Sequence, residues 1–145
     1  MFKKPQFYLY ALGGWLLLTN FGHTFLGIPS LLNQAADPSS DKFEAFGAMI
    51  AQTKGGSFEY NIFDLFFLGM LGISLFLGFS ALVSFWVALK GNKETLSQFS
   101  LLSLVFWGFA LPVSLLFYPV DNMVVIALGA FLFSIPAFWR ARKET

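Results

Sequence analysis

His23 is the only histidine in the chain. Near neutral pH an imidazole can serve as base, hydrogen-bond donor or metal ligand. It stands in the run Thr19-Asn20-Phe21-Gly22-His23. On a helix, Thr19 and His23 share a face and Asn20 flanks it. Asp64 is a carboxylate at the edge of a long apolar stretch. A His–carboxylate pair can abstract a proton or hold a polar headgroup. Glu59, Asn61, Ser114, Tyr118, Asp121 and Asn122 lie near the ends of other apolar stretches. If those stretches pack as helices, all of these groups converge at one depth. His23, Asn20, Asp64 and Tyr118 are therefore the expected polar end of a ligand site. Each also has a plain structural explanation. His23 would bond Asp64, Glu59 or a carbonyl, and Asp64 would favour a helix start through the dipole. Glu59 and Asp121 read as solvated interface carboxylates. A single His lacks the companions of a zinc site. Cys is 0, which excludes disulfides, thiol catalysis, CxxC haem attachment and iron–sulfur ligation. We expect no metal and no cofactor.

The elements that must position these groups follow from composition. Of 145 residues, 57% are hydrophobic and 12% charged, with mean hydropathy +0.68. A soluble domain usually carries about 25% charged residues. A soluble chain of this size leaves about a third of its surface wet and could not hide so much apolar area. Net charge is only +1, with no basic tract to neutralise phosphates. Soluble enzymes, disordered chains and nucleic-acid binders are excluded.

No Asp, Glu, Lys or Arg falls between Lys4 and Asp37, Asp64 and Lys90, Glu94 and Asp121, or Asp121 and Arg140. Each gap holds the roughly 17–25 residues that cross a hydrocarbon core. Four transmembrane helices are expected, at about 7–28, 62–89, 96–116 and 123–139 of one integral membrane domain, 1–145. Leu65 to Leu77 does not alternate, which argues against barrel strands. Helices satisfy their own backbone in lipid. With four spans, Lys3, Lys4, Lys90, Lys93, Arg140, Arg142 and Lys143 share one side, and only Lys42 and Lys54 fall on the other. The positive-inside rule then places both termini in the cytoplasm. Tyr8, Tyr10, Trp86 and Trp139 near the inner ends, and Tyr60 and Tyr118 near the outer ends, form an interfacial belt. The first stretch is longer than a signal peptide's apolar region and has no A-x-A-like site after it, so it is read as a retained span.

Gly91-Asn92 reads as a tight turn, Thr95 as a cap for the third helix, and Asp121 or Asn122 as a cap for the fourth. Short turns imply antiparallel neighbours. The segment from Pro29 to Tyr60 is longer than usual connections. Within it, Phe43, Phe46, Met49 and Ile50 recur at helical spacing, with Asp41, Lys42 and Glu44 off that stripe. This predicts a short amphipathic helix, lying as packing on the bundle or membrane, covering a pocket as a lid, or contacting a partner. Ser74-x3-Gly78 and Ser80-x3-Ser84 permit close helix approach within the chain or in a dimer. Ser100, Ser103, Trp107, Ser114 and Tyr118 form a semi-polar face, which packing explains, and Pro112 should bend that helix. Phe numbers 20. Phe63, Phe66, Phe67, Phe106 and Phe109 would face lipid or wall an apolar pocket.

Asn20-Phe21-Gly22-His23-Thr24, and Phe63-Asp64-Leu65-Phe66 with Gly69 and Gly72, resemble small uncharacterised bacterial four-span membrane proteins. Those proteins often carry Gly-His in the first span and Phe-Asp or Trp-Asp opening the second. The resemblance implies a four-helix membrane fold in a bacterial inner membrane, and no activity. Altogether we expect an all-α, left-handed up-down-up-down bundle with a short amphipathic helix in the first extracytoplasmic loop. Its expected function is non-enzymatic: binding a lipid, quinone, isoprenoid or other apolar small molecule, or serving as an accessory subunit. Its partners would be the bilayer, a second copy or a larger membrane complex, and not nucleic acid. The alternative is a membrane enzyme in which His23, oriented by Asp64, is acid and base on a lipid-like substrate. Proton or ion conduction ranks lower, because the inner half offers no chain of ionisable groups.

Overall fold

A computed structural model describes residues 4–37, 39, 44, 62–117 and 122–144, with side-chain surroundings for 4–30, 32–34, 37, 39, 44, 68–116 and 123–143. Among these residues there is no strand. Helix α1 is Pro5–Gly22, followed without a break by a π-helical turn, His23–Gly27, and by α2, Ile28–Ala36. Three more helices lie among the described residues: α3 Ile62–Lys90, α4 Lys93–Phe117 and α5 Asn122–Glu144. The expected amphipathic helix around Phe43, Phe46, Met49 and Ile50 lies outside the described residues, and so do Tyr118 and the side chain of Asp64.

Among the described residues, three helices are long and apolar enough to cross a membrane: Leu68–Lys90, Lys93–Leu116 and Met123–Lys143. The protein is an all-helical membrane protein. The first run, Pro5–Ala36, is not among those three. It carries Gln6, Thr19, Asn20 and His23, and the π-turn divides it.

The chain forms two compact units, Met1–Thr19 with Leu77–Thr145, and Asn20–Phe76. In the first unit Leu9, Leu12 and Leu16 of α1 are buried with Leu77 of α3, and the buried faces of α4 and α5 hold mostly small or weakly polar residues. Leu96, Ser100, Ser103, Trp107 and Ser114 lie buried along α4, and Ile126, Ala127, Ala130, Ser134, Ala137 and Ala141 along α5. These two helices pack on each other. Many large residues point outward, with Leu102 at 66%, Phe109 at 72% and Leu116 at 77% exposure. In water that distribution would be an aggregation hazard. In hydrocarbon it is expected, because lipid competes for large apolar side chains while small residues let backbones approach. The semi-polar face read from Ser100, Ser103, Trp107 and Ser114 is thus a packing face.

Buried Ser hydroxyls need partners. Ser84, Ser114 and Ser134 donate back to the carbonyls of Ser80, Ala110 and Ala130 at 2.7–2.8 Å. Ser100 Oγ is fully buried and finds none. Trp15 Nε1 donates to Ile126 O at 3.1 Å. Its ring lies on Gly129, where a β-carbon would overlap the ring. Gly13 similarly faces Ala81 O and the Phe85 ring, at 3.1–3.2 Å from a notional β-carbon.

Only Gly91 and Asn92 separate α3 from α4. Gly91 N–H bonds Val87 O at 2.8 Å, and a β-carbon there would sit 2.5 Å from that oxygen, so the turn requires glycine. The cap of α4 is Asn92: its Oδ1 accepts from Thr95 N–H at 2.8 Å and from Thr95 Oγ1 at 2.9 Å. Thr95, expected to be the cap, is the residue being capped.

Candidate functional site

The second unit holds the polar cluster, built on the end of α1, the π-turn and the middle of α3. Four polar residues in a helical run without charges must find partners or face a polar ligand. Thr19, in the first unit, does so locally and donates to Trp15 O or Leu16 O at 2.9 and 3.1 Å. Asn20, His23 and Thr24 are half-buried; His23 and Thr24 look across to α3, and Asn20 bonds Thr24.

The local backbone explains why consecutive residues can do this. Pro29 lies in the first turn of α2. A proline ring collides with the carbonyl four residues earlier and supplies no N–H. The turn ahead of it is widened, and Ile28 N–H bonds His23 O, five residues back. Such π-turns recur at functional sites. Here the widened turn contains both His23 and Thr24. Helical structure therefore continues through Pro29 to Ala36, into the segment read from sequence as the first long connection. At its end Asp37 Oδ1 accepts from Ser39 N–H at 2.9 Å and from Ser39 Oγ at 2.7 Å. The backbone bond first, and the hydroxyl second, hold the Asp37 carboxyl below its ordinary range.

His23 Nε2 lies 3.4 Å from Met70 O. A carbonyl only accepts, so this ring nitrogen carries the hydrogen. Thr24 Oγ1 lies 2.9 Å from Ser74 Oγ and 3.2 Å from Asn20 Oδ1. Thr24 has one hydroxyl hydrogen and the amide oxygen can only accept. Thr24 therefore donates to Asn20, and its own oxygen accepts from Ser74. His23 and Thr24 thus hold one turn of α3, Met70 to Ser74, where both residues are buried. Beside this turn Phe21 and Phe25 are exposed, with ring centroids 4.8 Å apart at 34°. Gly22, Gly69 and Gly72 have open space where a side chain would begin.

Two of the four residues expected at the polar end, Asn20 and His23, are half-buried members of this cluster. Asp64 lies on α3, about 9 Å of helical rise before Met70. Its side chain, like Tyr118, lies outside the described residues. Thr24 and Ser74 were not singled out as site residues. The usable signal was Thr24 at i+4 from Asn20 inside a charge-free stretch, where each hydroxyl needs a partner. Among the described residues no group of three His, Cys, Asp or Glu gathers in a way that would hold a metal. Compared with protein families, curated proteins and solved structures, the chain matches none.

Proposed function

We propose that the chain is a four-span bundle, up-down-up-down, that binds a lipid or other apolar small molecule. Asn20 and His23 form the polar end of its site. The carrying observation is the hydrogen-bonded turn of α3 held by His23 and Thr24 inside helices that have no ionised side chain at that level. Polar groups in such a place are costly unless paired or used. Here they are partly paired and still half-open to the surroundings.

The topology has its own support. Only two residues join α3 to α4. In the first unit Tyr10 meets Phe85, and Gly13 meets Phe85 and Ala81, so partners fall in number along α3 as α1 advances. We place both termini on the cytoplasmic side of a bacterial inner membrane, with the amphipathic helix in the first outer loop. The basic residues at the chain ends and at the α3–α4 turn support that placement. The surfaces of α3 to α5, rich in exposed Leu and Phe, suit a bilayer and equally suit the flank of a larger complex.

Native mass spectrometry from a mild detergent tests the binding. The expected spectrum shows a stoichiometric amphiphile on the wild-type chain, reduced at least tenfold in His23→Phe. A spectrum with bare protein for both chains would sink the reading. A stoichiometric larger assembly without bound amphiphile would replace it with an accessory-subunit role.

A further inference from the structure

The hydrogen-bonding inventory of the cluster indicates what head the ligand carries. His23 Nε2 is committed to Met70 O and must be the protonated nitrogen. In neutral imidazole the other nitrogen, Nδ1, is then an acceptor without a hydrogen. No described residue donates to it. Asn20 Oδ1 is committed to Thr24. Its Nδ2 keeps two hydrogens, and no described residue accepts them. Asn20 and His23 are three residues apart on one helix, so their side chains are neighbours, about 5–6 Å apart at Cβ. The cluster therefore presents one acceptor and one donor on neighbouring residues of one helix.

Charge narrows the choice. Apart from His23, no ionisable acid or base lies between Lys4 and Asp37, or between Asp64 and Lys90, apart from Tyr8 and Tyr10 near the start of α1. Within the two helices that carry the cluster, an anionic or cationic head at this level would meet no counter-charge. The flank fits an apolar tail. Phe21 and Phe25 are exposed beside the cluster, and Gly69 and Gly72 leave bare helix surface on α3.

We infer that the site takes an uncharged amphiphile whose head carries a hydroxyl beside a carbonyl, as in a monoacyl- or diacylglycerol. The hydroxyl donates to His23 Nδ1 and the carbonyl accepts from Asn20 Nδ2. This deepens the binding role proposed above and rests on it.

The test uses the full chain in nanodiscs, with competition against a photoreactive lipid probe. The competitors are a monoacylglycerol, the same molecule with its hydroxyls methylated, phosphatidic acid, a prenylated hydroquinone and a long-chain alkane. We expect the monoacylglycerol to compete at least tenfold better than its methylated form. His23→Phe and Asn20→Leu should each cut that preference below twofold. His23→Gln, which keeps a donor for Met70 O and an acceptor beside it, should retain most of it. Unchanged helicity by circular dichroism separates these effects from misfolding, and the wild-type comparison stands even if a variant fails to fold. Equal competition by the methylated form, or stronger competition by phosphatidic acid or the hydroquinone, overturns the head assignment while leaving binding intact. Absence of competition by every amphiphile overturns the binding role and this inference together.

Discussion

Single side chains in this protein are held by contacts that a hydropathy profile does not register. Trp15 brings an N–H into an apolar stretch, where the group must be bonded. Ile126 O accepts it, and the ring can come that close only because residue 129 has no side chain. Gly129→Ala should force the indole aside and destabilise the fold by about 1–3 kcal/mol, the usual range for overpacking. Trp15→Phe keeps most of the ring and loses the donor, so its loss should be nearer 1 kcal/mol. Reversible unfolding in mixed micelles reads both, and equal stability of Gly129→Ala and wild type would refute the ring-on-glycine contact. Ser100 is the opposite case. Its buried hydroxyl has no partner, whereas Ser84, Ser114 and Ser134 bond back to their own helices. Removing an unsatisfied hydroxyl takes away a desolvation penalty, so Ser100→Ala should be neutral or stabilising. Loss of stability comparable to a core truncation would show that Ser100 Oγ has a partner after all.

At the scale of elements, caps and turns decide where helices end. Asn92 Oδ1 satisfies Thr95 N–H at the start of α4. Asn92→Ala should cost about 1 kcal/mol, and Asn92→Ser much less. At the end of α2 the Asp37 turn is pH-sensitive. Ser39 N–H, and then its hydroxyl, favour the ionised carboxylate, so the folded pKa is lowered. The stabilisation is therefore present above the ordinary Asp range and is lost as pH falls through the depressed folded value. An NMR titration should find the Asp37 midpoint below the usual Asp value and moved upward in Ser39→Ala. An unshifted midpoint in the wild type would remove the turn. Much of this level was legible in the sequence. The charge-free gaps located α3, α4 and α5, because lipid tolerates few ionised groups. His23 and Asn20 stood out for the same reason. The π-turn was not legible, because Pro29 reads equally as a helix stop or as the first turn of a new helix. Thr24 and Ser74 were missed as a pair because their bond depends on that widened turn, which periodicity at 3.6 residues does not anticipate.

For the whole molecule, the exposed Leu and Phe surfaces and the gathered cations act together. The apolar surface drives the chain into a bilayer, and the cations choose which way round it sits. Lys4, Lys90, Lys93, Arg140, Arg142 and Lys143 lie at the start of α1, the α3–α4 turn and the end of α5. Translocating any of these clusters would oppose the positive-inside preference, whereas the segment between α2 and α3 carries only Lys42 and Lys54. With four spans these preferences agree, and with three they conflict. The chain has no native Cys, so single introduced thiols can be labelled without background. Ser39→Cys should react with a membrane-impermeant maleimide on intact cells. Asn92→Cys and Thr145→Cys should react only after permeabilisation. Labelling of Ser39→Cys confined to permeabilised cells would place that segment on the cytoplasmic side with the amino terminus and remove the first run from the crossings. The Pro5–Ala36 run would then lie outside the bilayer core. The half-buried state of Asn20 and His23 would in that case be exposure to water, and a lipid-binding role would lose its physical basis.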